Sequence, residues 1–374
     1  MLKKKCLSLH EKIYWLVLVL TLFGLLMSFS TTYTYYFTAT NVSPYRDFFK
    51  QTLFALVGFF SISVIARFPV KFWKSIAVPF FVISCGLLIL VLIPPFYSTR
   101  ILNESGEVAR RWLNLGYFSF QPSELVKFGI ILMLSSLLTK LKGRMNFNEF
   151  IKCLLLVFVP VFLIIIEPNF STAIIVLLLG IASMIVGATP MKYFFLTALP
   201  LSGIGAFILF RSERLMNRIS SFQNVFQDPS NSGYQVLQSF IAISRGSWFG
   251  KGFMRSSQKF YSLPEAQTDF VYSIICEEFG LLIGIFVLFL YFLLFFWAIQ
   301  VALKLKDGFS SLLASMIGFH MFLQAMMHIA VTIGFLPPTG IPLPFVSIGG
   351  SALVVYLVEA GVLIRLARKA QVCS

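Results

Sequence analysis

Apolar residues in this chain fall in long unbroken runs, and not in the alternation of a half-buried strand or the single stripe of a surface helix. About ten runs have the length an α-helix needs to cross a hydrocarbon core, roughly 20 residues for roughly 30 Å. They cover 13–34, 51–66, 75–96, 123–139, 151–167, 171–188, 191–210, 270–299, 309–335 and 346–364. The pattern predicts an all-α polytopic membrane protein of about ten transmembrane helices, folded as one membrane domain over residues 1–374. The first run, Ile13 to about Ser30, follows Lys3, Lys4, Lys5 and Lys12, shows no small-residue cleavage site and is followed by further spans. It reads as a retained first helix and not as a signal peptide.

Composition removes the soluble alternatives. The chain is 58% hydrophobic and 12% charged, against about a quarter charged in ordinary soluble domains, and its mean hydropathy is +0.86. The net charge of +15 is compatible with nucleic acid on its own, but the basic residues sit in short clusters between apolar runs, so membrane topology explains them and no nucleic-acid partner is expected. Alternating the connections from a cytoplasmic N-terminus places Lys3, Lys4, Lys5, Lys12, Arg67, Lys71, Lys74, Lys140, Lys142, Arg144, Lys152, Lys192, Lys304, Lys306, Arg365, Arg368 and Lys369 inside. The short outer connections hold Arg46, Lys50, Arg100, Arg110 and Arg111. That asymmetry predicts a protein of the cytoplasmic (inner) membrane with both termini in the cytoplasm.

Two outer segments exceed the usual connector length, 97–122 and 211–269, the latter a large extracytoplasmic loop between the seventh and eighth helices. It carries Arg211, Arg214, Arg218, Arg245, Lys251, Arg255 and Lys259 against Glu213, Asp228, Glu265 and Asp269. Long loops escape the positive-inside rule, so tolerated surface charge is one reading; a site for phosphate or pyrophosphate is the other.

Polar residues at membrane depth are costly and informative. Glu124 and Lys127 open the fourth span three residues apart, as a helix cap with a local ion pair or as a lysine facing a polar cavity. Glu277, Glu278 and Glu359 lie within later spans, and each is expected to pair with a lysine or arginine across the bundle. Asp269 stands where the basic loop re-enters the membrane, suited equally to a general base or a helix cap. His320 and His328 are isolated and read as buried, hydrogen-bonded histidines. The five cysteines show neither C-x-x-C spacing nor a disulfide framework, and no P-loop, Rossmann or nucleophile-elbow motif occurs. Between the last two spans, Pro337 to Phe345 and Ser347 to Ser351 pack proline, glycine and serine together, which predicts an irregular re-entrant connector held against protein or a water-filled cavity.

Several stretches, in order, resemble the SEDS family (shape, elongation, division and sporulation proteins): Arg111-Trp112-Leu113, Phe120 to Lys127, Tyr234 to Ser239 with Ala242-Ile243, Gly250-Lys251-Gly252, Leu263 to Phe270, Glu277 to Gly280, and Thr339 to Ser351. Pro264-Glu265-Ala266 and Ser244 to Gly250 look more like the division-type (FtsW) branch than the elongation-type (RodA) branch. The resemblance implies a ten-helix fold and polymerisation of lipid II, a disaccharide-pentapeptide on undecaprenyl pyrophosphate, into glycan strands. It further implies a class B penicillin-binding protein as transpeptidase partner, other divisome proteins, and action at the division site. Two positions depart from the family pattern: Pro168-Asn169, where Pro-Asp is common, and His328, where Asn is frequent.

The implied reaction joins an acceptor hydroxyl to an anomeric carbon whose leaving group is a lipid pyrophosphate. One base and a set of cations suffice, and passage from an α-linked donor to a β-linked product is an inversion, consistent with one displacement and one essential carboxylate. Asp269 is assigned the base, with Arg111, Lys127, Arg214 and Lys251 as pyrophosphate or sugar contacts. Trp112, Gln121, Glu124, Gln238, Lys259, Glu265, Glu278, Ser347 and Ser351 complete the candidate site. A divalent cation, magnesium or manganese, could share the pyrophosphate charge, although no ligand cluster marks one in the sequence. The rival readings are a lipid II flippase, using the same basic loop without making a bond, and a catalytically silent scaffold that activates its partner.

Overall fold

The computed structural model describes residues 7–39, 45–93, 111–114, 119–141, 145–197, 232–261 and 263–373. Helices α1 (Leu9–Ala39), α2 (Arg46–Ile65) and α3 (Val70–Val91) are followed by two short strands, β1 (Leu113–Asn114) and β2 (Ser119–Phe120). Then come α4 (Pro122–Leu141), α5 (Phe147–Ile166) and α6 (Phe170–Val186), and residues 191–197 are helical (α7). After these, α8 (Ser232–Gly246) and α9 (Gln258–Tyr261) precede α10 (Val271–Phe279), α11 (Leu281–Lys304), α12 (Gly308–Thr332) and α13 (Gly350–Cys373).

Seven of the described helices, α1, α2, α3, α5, α11, α12 and α13, are long and apolar enough to cross a membrane. The chain is a multi-pass membrane protein. Helix α6, with 17 residues, is apolar but shorter. Helix α4 carries Glu124, Lys127 and Lys140 and is apolar on nearly every other face, because it runs inside the bundle. Burial separates the helices into two layers. Of the most apolar stretch, 72% is buried in α12 and 78% in α13, against 22% in α2, 28% in α3 and α11, and 33% in α5. Helices α4, α12 and α13 therefore form the centre, and the others turn rows such as Phe49, Phe60, Phe162 and Phe286 outward, where lipid replaces water as the apolar neighbour.

Three expectations are refined. The run 270–299 is two helices, α10 and α11, broken at Gly280, whose φ of +88° is in the left-handed region. A Cβ there would stand 2.3 Å from the Trp248 carbonyl oxygen, because Ser247–Gly252 folds across the break. Leu281 N–H donates to Ser247 O at 2.9 Å, and Lys251 and Gly252 N–H donate to Glu277 O and Glu278 O at 3.0 and 2.9 Å. The segment 97–122 ends in an antiparallel hairpin pairing Leu113 with Phe120 and Asn114 with Ser119. The segment 211–269 contains α8 and α9.

Candidate functional site

The connector between α12 and α13 is irregular and buried, with Ile341, Leu343, Phe345 and Val346 all at 2% exposure or less. Its carbonyls are met by side chains from the two preceding helices. Ile341 O accepts from His328 Nδ1 at 2.7 Å, Pro342 O from Gln324 Nε2 at 3.1 Å, and Pro344 O from the Tyr291 hydroxyl. That provision is what allows non-helical backbone inside a bundle. From α2, Gln51 donates to Ser347 O at 3.2 Å and accepts from Gly349 N–H at 3.3 Å, gripping the connector just before α13.

Asp269 lies on a tight turn that this connector holds. Glu265, with φ of +51°, starts the turn, and its carbonyl accepts from the N–H groups of Thr268 (3.1 Å) and Asp269 (3.0 Å). Ser347 Oγ donates to Thr268 O at 2.6 Å, and Ile348 N–H donates to Gln267 O at 3.1 Å. The Asp269 side chain is half-buried and faces Gly340, where a Cβ would come within 3.4 Å of Asp269 Oδ2. A backbone without a side chain therefore flanks the carboxylate.

On the other side of the connector lies a buried polar network. Lys127 Nζ is 2.8 Å from both Glu124 oxygens and donates to Gln324 Oε1 at 2.7 Å. The Tyr356 hydroxyl donates to Glu124 Oε2 at 3.1 Å, and Gln324 also bonds Tyr356. The local Glu124 and Lys127 ion pair is inside the bundle, with side chains 2% and 1% exposed. One turn before Gln324 on α12 and about one turn after Tyr356 on α13, His320 Nδ1 is 2.9 Å from Glu359 Oε2. The partner of Glu359 is thus a histidine, not the expected lysine or arginine.

The sequence from residue 11 to residue 372 matches the family model FTSW_RODA_SPOVE, described as "Cell cycle protein". The chain belongs to the FtsW/RodA/SpoVE family. Its relatives include the probable peptidoglycan glycosyltransferase FtsW of Buchnera aphidicola subsp. Baizongia pistaciae, 34% identical over 95% of this chain and 93% of that protein. The stage V sporulation protein E of Bacillus subtilis is 35% identical over 85% of this chain and 86% of its own. Among solved structures, a chain in a peptidoglycan synthase complex, described under "Structural coordination of polymerization and crosslinking", superposes with a TM-score of 0.76 at 22% identity, covering 96% of this chain and 97% of that one. Thermus thermophilus RodA superposes at 0.69 with 23% identity, covering 96% of each chain. These likenesses show that the FtsW/RodA/SpoVE fold is shared.

Within this FtsW/RodA/SpoVE chain, the sequence-predicted residues fall into separate groups. Asp269, Glu265 and Ser347 share the pinned turn. Glu124 and Lys127 share the inner network. Lys251, Lys259 and Glu278 meet at the break between α10 and α11. There Glu277, fully buried, accepts from Lys251 Nζ (3.2 Å), the Ser257 hydroxyl (2.9 Å) and N–H (3.1 Å), Gln258 N–H (3.3 Å) and the Ser256 hydroxyl. Glu278 Oε1 pairs with Lys259 Nζ at 2.6 Å, and burial pulls the Lys259 ammonium below the usual lysine value while Glu278 and Glu277 oppose that shift.

Arg111 lies over the turn joining α5 to α6, donating from Nε to Glu167 O at 3.2 Å and from its terminal nitrogen to Pro168 O. Glu167 beneath it is fully buried, and burial pushes its carboxyl up to about 9 against the lowering effect of Arg111. Trp112 and Gln121 are half-buried on either side of the β-hairpin, Gln238 is half-buried on α8, and Ser351 is buried in the first turn of α13. Arg214 lies outside the described residues. Gln51, Gln324 and Tyr291 hold the site together and carry no sequence signal beyond being polar groups on apolar helices, which is the signal that could have found them.

Proposed function

We propose that this chain is a peptidoglycan glycosyltransferase that polymerises lipid II at the outer face of the cytoplasmic membrane, in septal wall synthesis, with Asp269 as the base. The observation that carries the reading is a half-buried carboxylate, fixed by Ser347 and Ile348 and flanked by Gly340, at the end of a basic loop. The names of its relatives, peptidoglycan glycosyltransferases of the FtsW type, support the substrate and the division role. Asp269 removes the proton of the acceptor hydroxyl as its oxygen displaces pyrophosphate from the donor anomeric carbon in one inverting step. Lys127 with Arg111, Lys251 and Arg214 is assigned to the substrate's anionic and polar groups, which requires Arg111, Lys251 and the buried Lys127 to exchange present partners for substrate oxygens. Among the described residues no three His, Cys, Asp or Glu side chains gather as a metal site.

The transpeptidase partner is proposed to be a class B penicillin-binding protein, alongside other divisome proteins, with both termini of this chain in the cytoplasm. A lipid II flippase is the second reading, favoured by the intramembrane network around Lys127. Asp269→Asn separates the two, because asparagine keeps the size and hydrogen bonding but cannot act as a carboxylate base. A polymerase loses glycan synthesis from lipid II by on the order of a hundredfold to ten-thousandfold while still folding and binding substrate. Synthesis at the unmodified rate by purified D269N protein would sink the catalytic role.

A further inference from the structure

We infer that Lys259 and Glu278 are positioning residues for Asp269: their buried ion pair, tied to α1 through Ser30, closes the base of a loop with the reacting carboxylate near its apex. The inference rests on the proposed role of Asp269. Lys259 precedes Asp269 by ten residues and Glu278 follows it by nine, so the pair joins the two arms of the loop at nearly equal distances from the base. Lys259 Nζ lies 2.6 Å from Glu278 Oε1 and donates to Ser30 Oγ at 2.7 Å. The Ser30 hydroxyl in turn lies 2.8 and 2.9 Å from the two Glu278 oxygens. All three groups are buried, the Lys259 side chain at 1% and Glu278 at 0% exposure.

Packing fixes the arm that ends at Glu278, since α10 is buried from Val271 to Glu278, but the arm that starts at Lys259 is less filled. A cavity of about 50 Å³, lined also by Lys259, lies between Thr31 of α1 and the stretch Leu263 to Gln267, so the arm that leads to Asp269 is not filled in on its α1 side. The turn itself is held at its tip by Ser347 and Ile348. The ion pair supplies the second point of restraint, and two points fix where the carboxylate stands relative to α1 and the connector. A buried ion pair contributes little net stability compared with apolar residues of the same volume, because desolvation offsets attraction, but it accepts one geometry only. Loss of the pair is therefore expected to act on alignment more than on folding, and misplacement of a reacting group by about 1 Å can cost on the order of a hundredfold in rate.

The test uses the full-length chain with its transpeptidase partner, lipid II as substrate, and the double variant K259M/E278Q, which removes both charges and strands neither. The expected result is a kcat lower by on the order of a hundredfold with KM for lipid II little changed, together with a displaced acid limb in the pH profile of kcat, since that limb reports the base. An unchanged kcat overturns the inference. So does a rise in KM at constant kcat, which would make the pair a substrate contact. If the double variant does not fold, E278D decides: it keeps the charges and withdraws the carboxylate by one methylene, so a fall in kcat with an altered pH limb supports positioning and a wild-type profile overturns it. Active D269N protein would remove the underlying reading, whereas inactive D269N beside active K259M/E278Q removes the positioning role alone.

Discussion

Glu167 is a fully buried carboxyl with neither oxygen hydrogen-bonded among the described residues. Its pKa stands at about 9 against an ordinary 4.5, burial being the larger cause and Arg111 the opposing one. The folded chain therefore holds a proton there that the unfolded chain releases near 4.5. Stability from this group is complete below that lower value and is lost as pH rises through the window toward 9. Glu167→Gln, which is neutral throughout, is expected to raise the melting temperature at pH 8, with the gap closing as pH falls toward 5; thermal unfolding in detergent at both pH values checks this. An equal melting temperature at pH 8 would mean the carboxylate is stabilised there after all. The two departures from the family pattern become intelligible at the same scale. Asn169 caps α6, its Oδ1 accepting from the Thr172 N–H at 3.5 Å and from the Thr172 hydroxyl at 3.0 Å, a task that aspartate and asparagine share. His328 binds the Ile341 carbonyl, which needs a donor and no charge.

Among the elements, the connector before α13 matters most, since it is shared by the Asp269 turn and the Lys127 network. Gln51→Leu leaves Ser347 O and Gly349 N–H without their α2 partner, and each unmet buried group costs about 1–3 kcal/mol. Glycan synthesis is expected to fall at least tenfold while solubilised yield drops less, measured side by side on purified protein; full activity would show that the connector keeps its shape without α2. The long apolar runs made the seven described spanning helices legible, because in lipid the backbone leaves helix as the only open choice; the run 191–210 lies outside the described residues beyond 197. The connector too was legible, from its prolines and glycines. The break at Gly280 was not: Leu281 to Lys304 continues the apolar run, and what stops the helix is the distant backbone of Ser247–Gly252. For the same reason Lys259 and Glu278 could be named as polar residues but not as partners, since 19 positions and a fold separate them.

For the molecule as a whole, the arrangement of basic residues predicts opposite sides for two exposed positions, Arg255 in the outer loop and Lys306 between α11 and α12. In a background with the five native cysteines replaced, Arg255→Cys should react with a membrane-impermeant thiol reagent on intact cells and Lys306→Cys only after permeabilisation. Reaction of both from outside would reverse the topology. The central connector also bears on how the chain is made. Its carbonyls are met by Tyr291, Gln324 and His328, all synthesised before it. A carbonyl left bare in hydrocarbon is costly, and Gln51 of α2, which meets Ser347 O, is likewise already present when the segment emerges. The connector can therefore take its buried shape against α2, α11 and α12 before α13 is translated, and α13 then packs onto a segment whose backbone is already provided for.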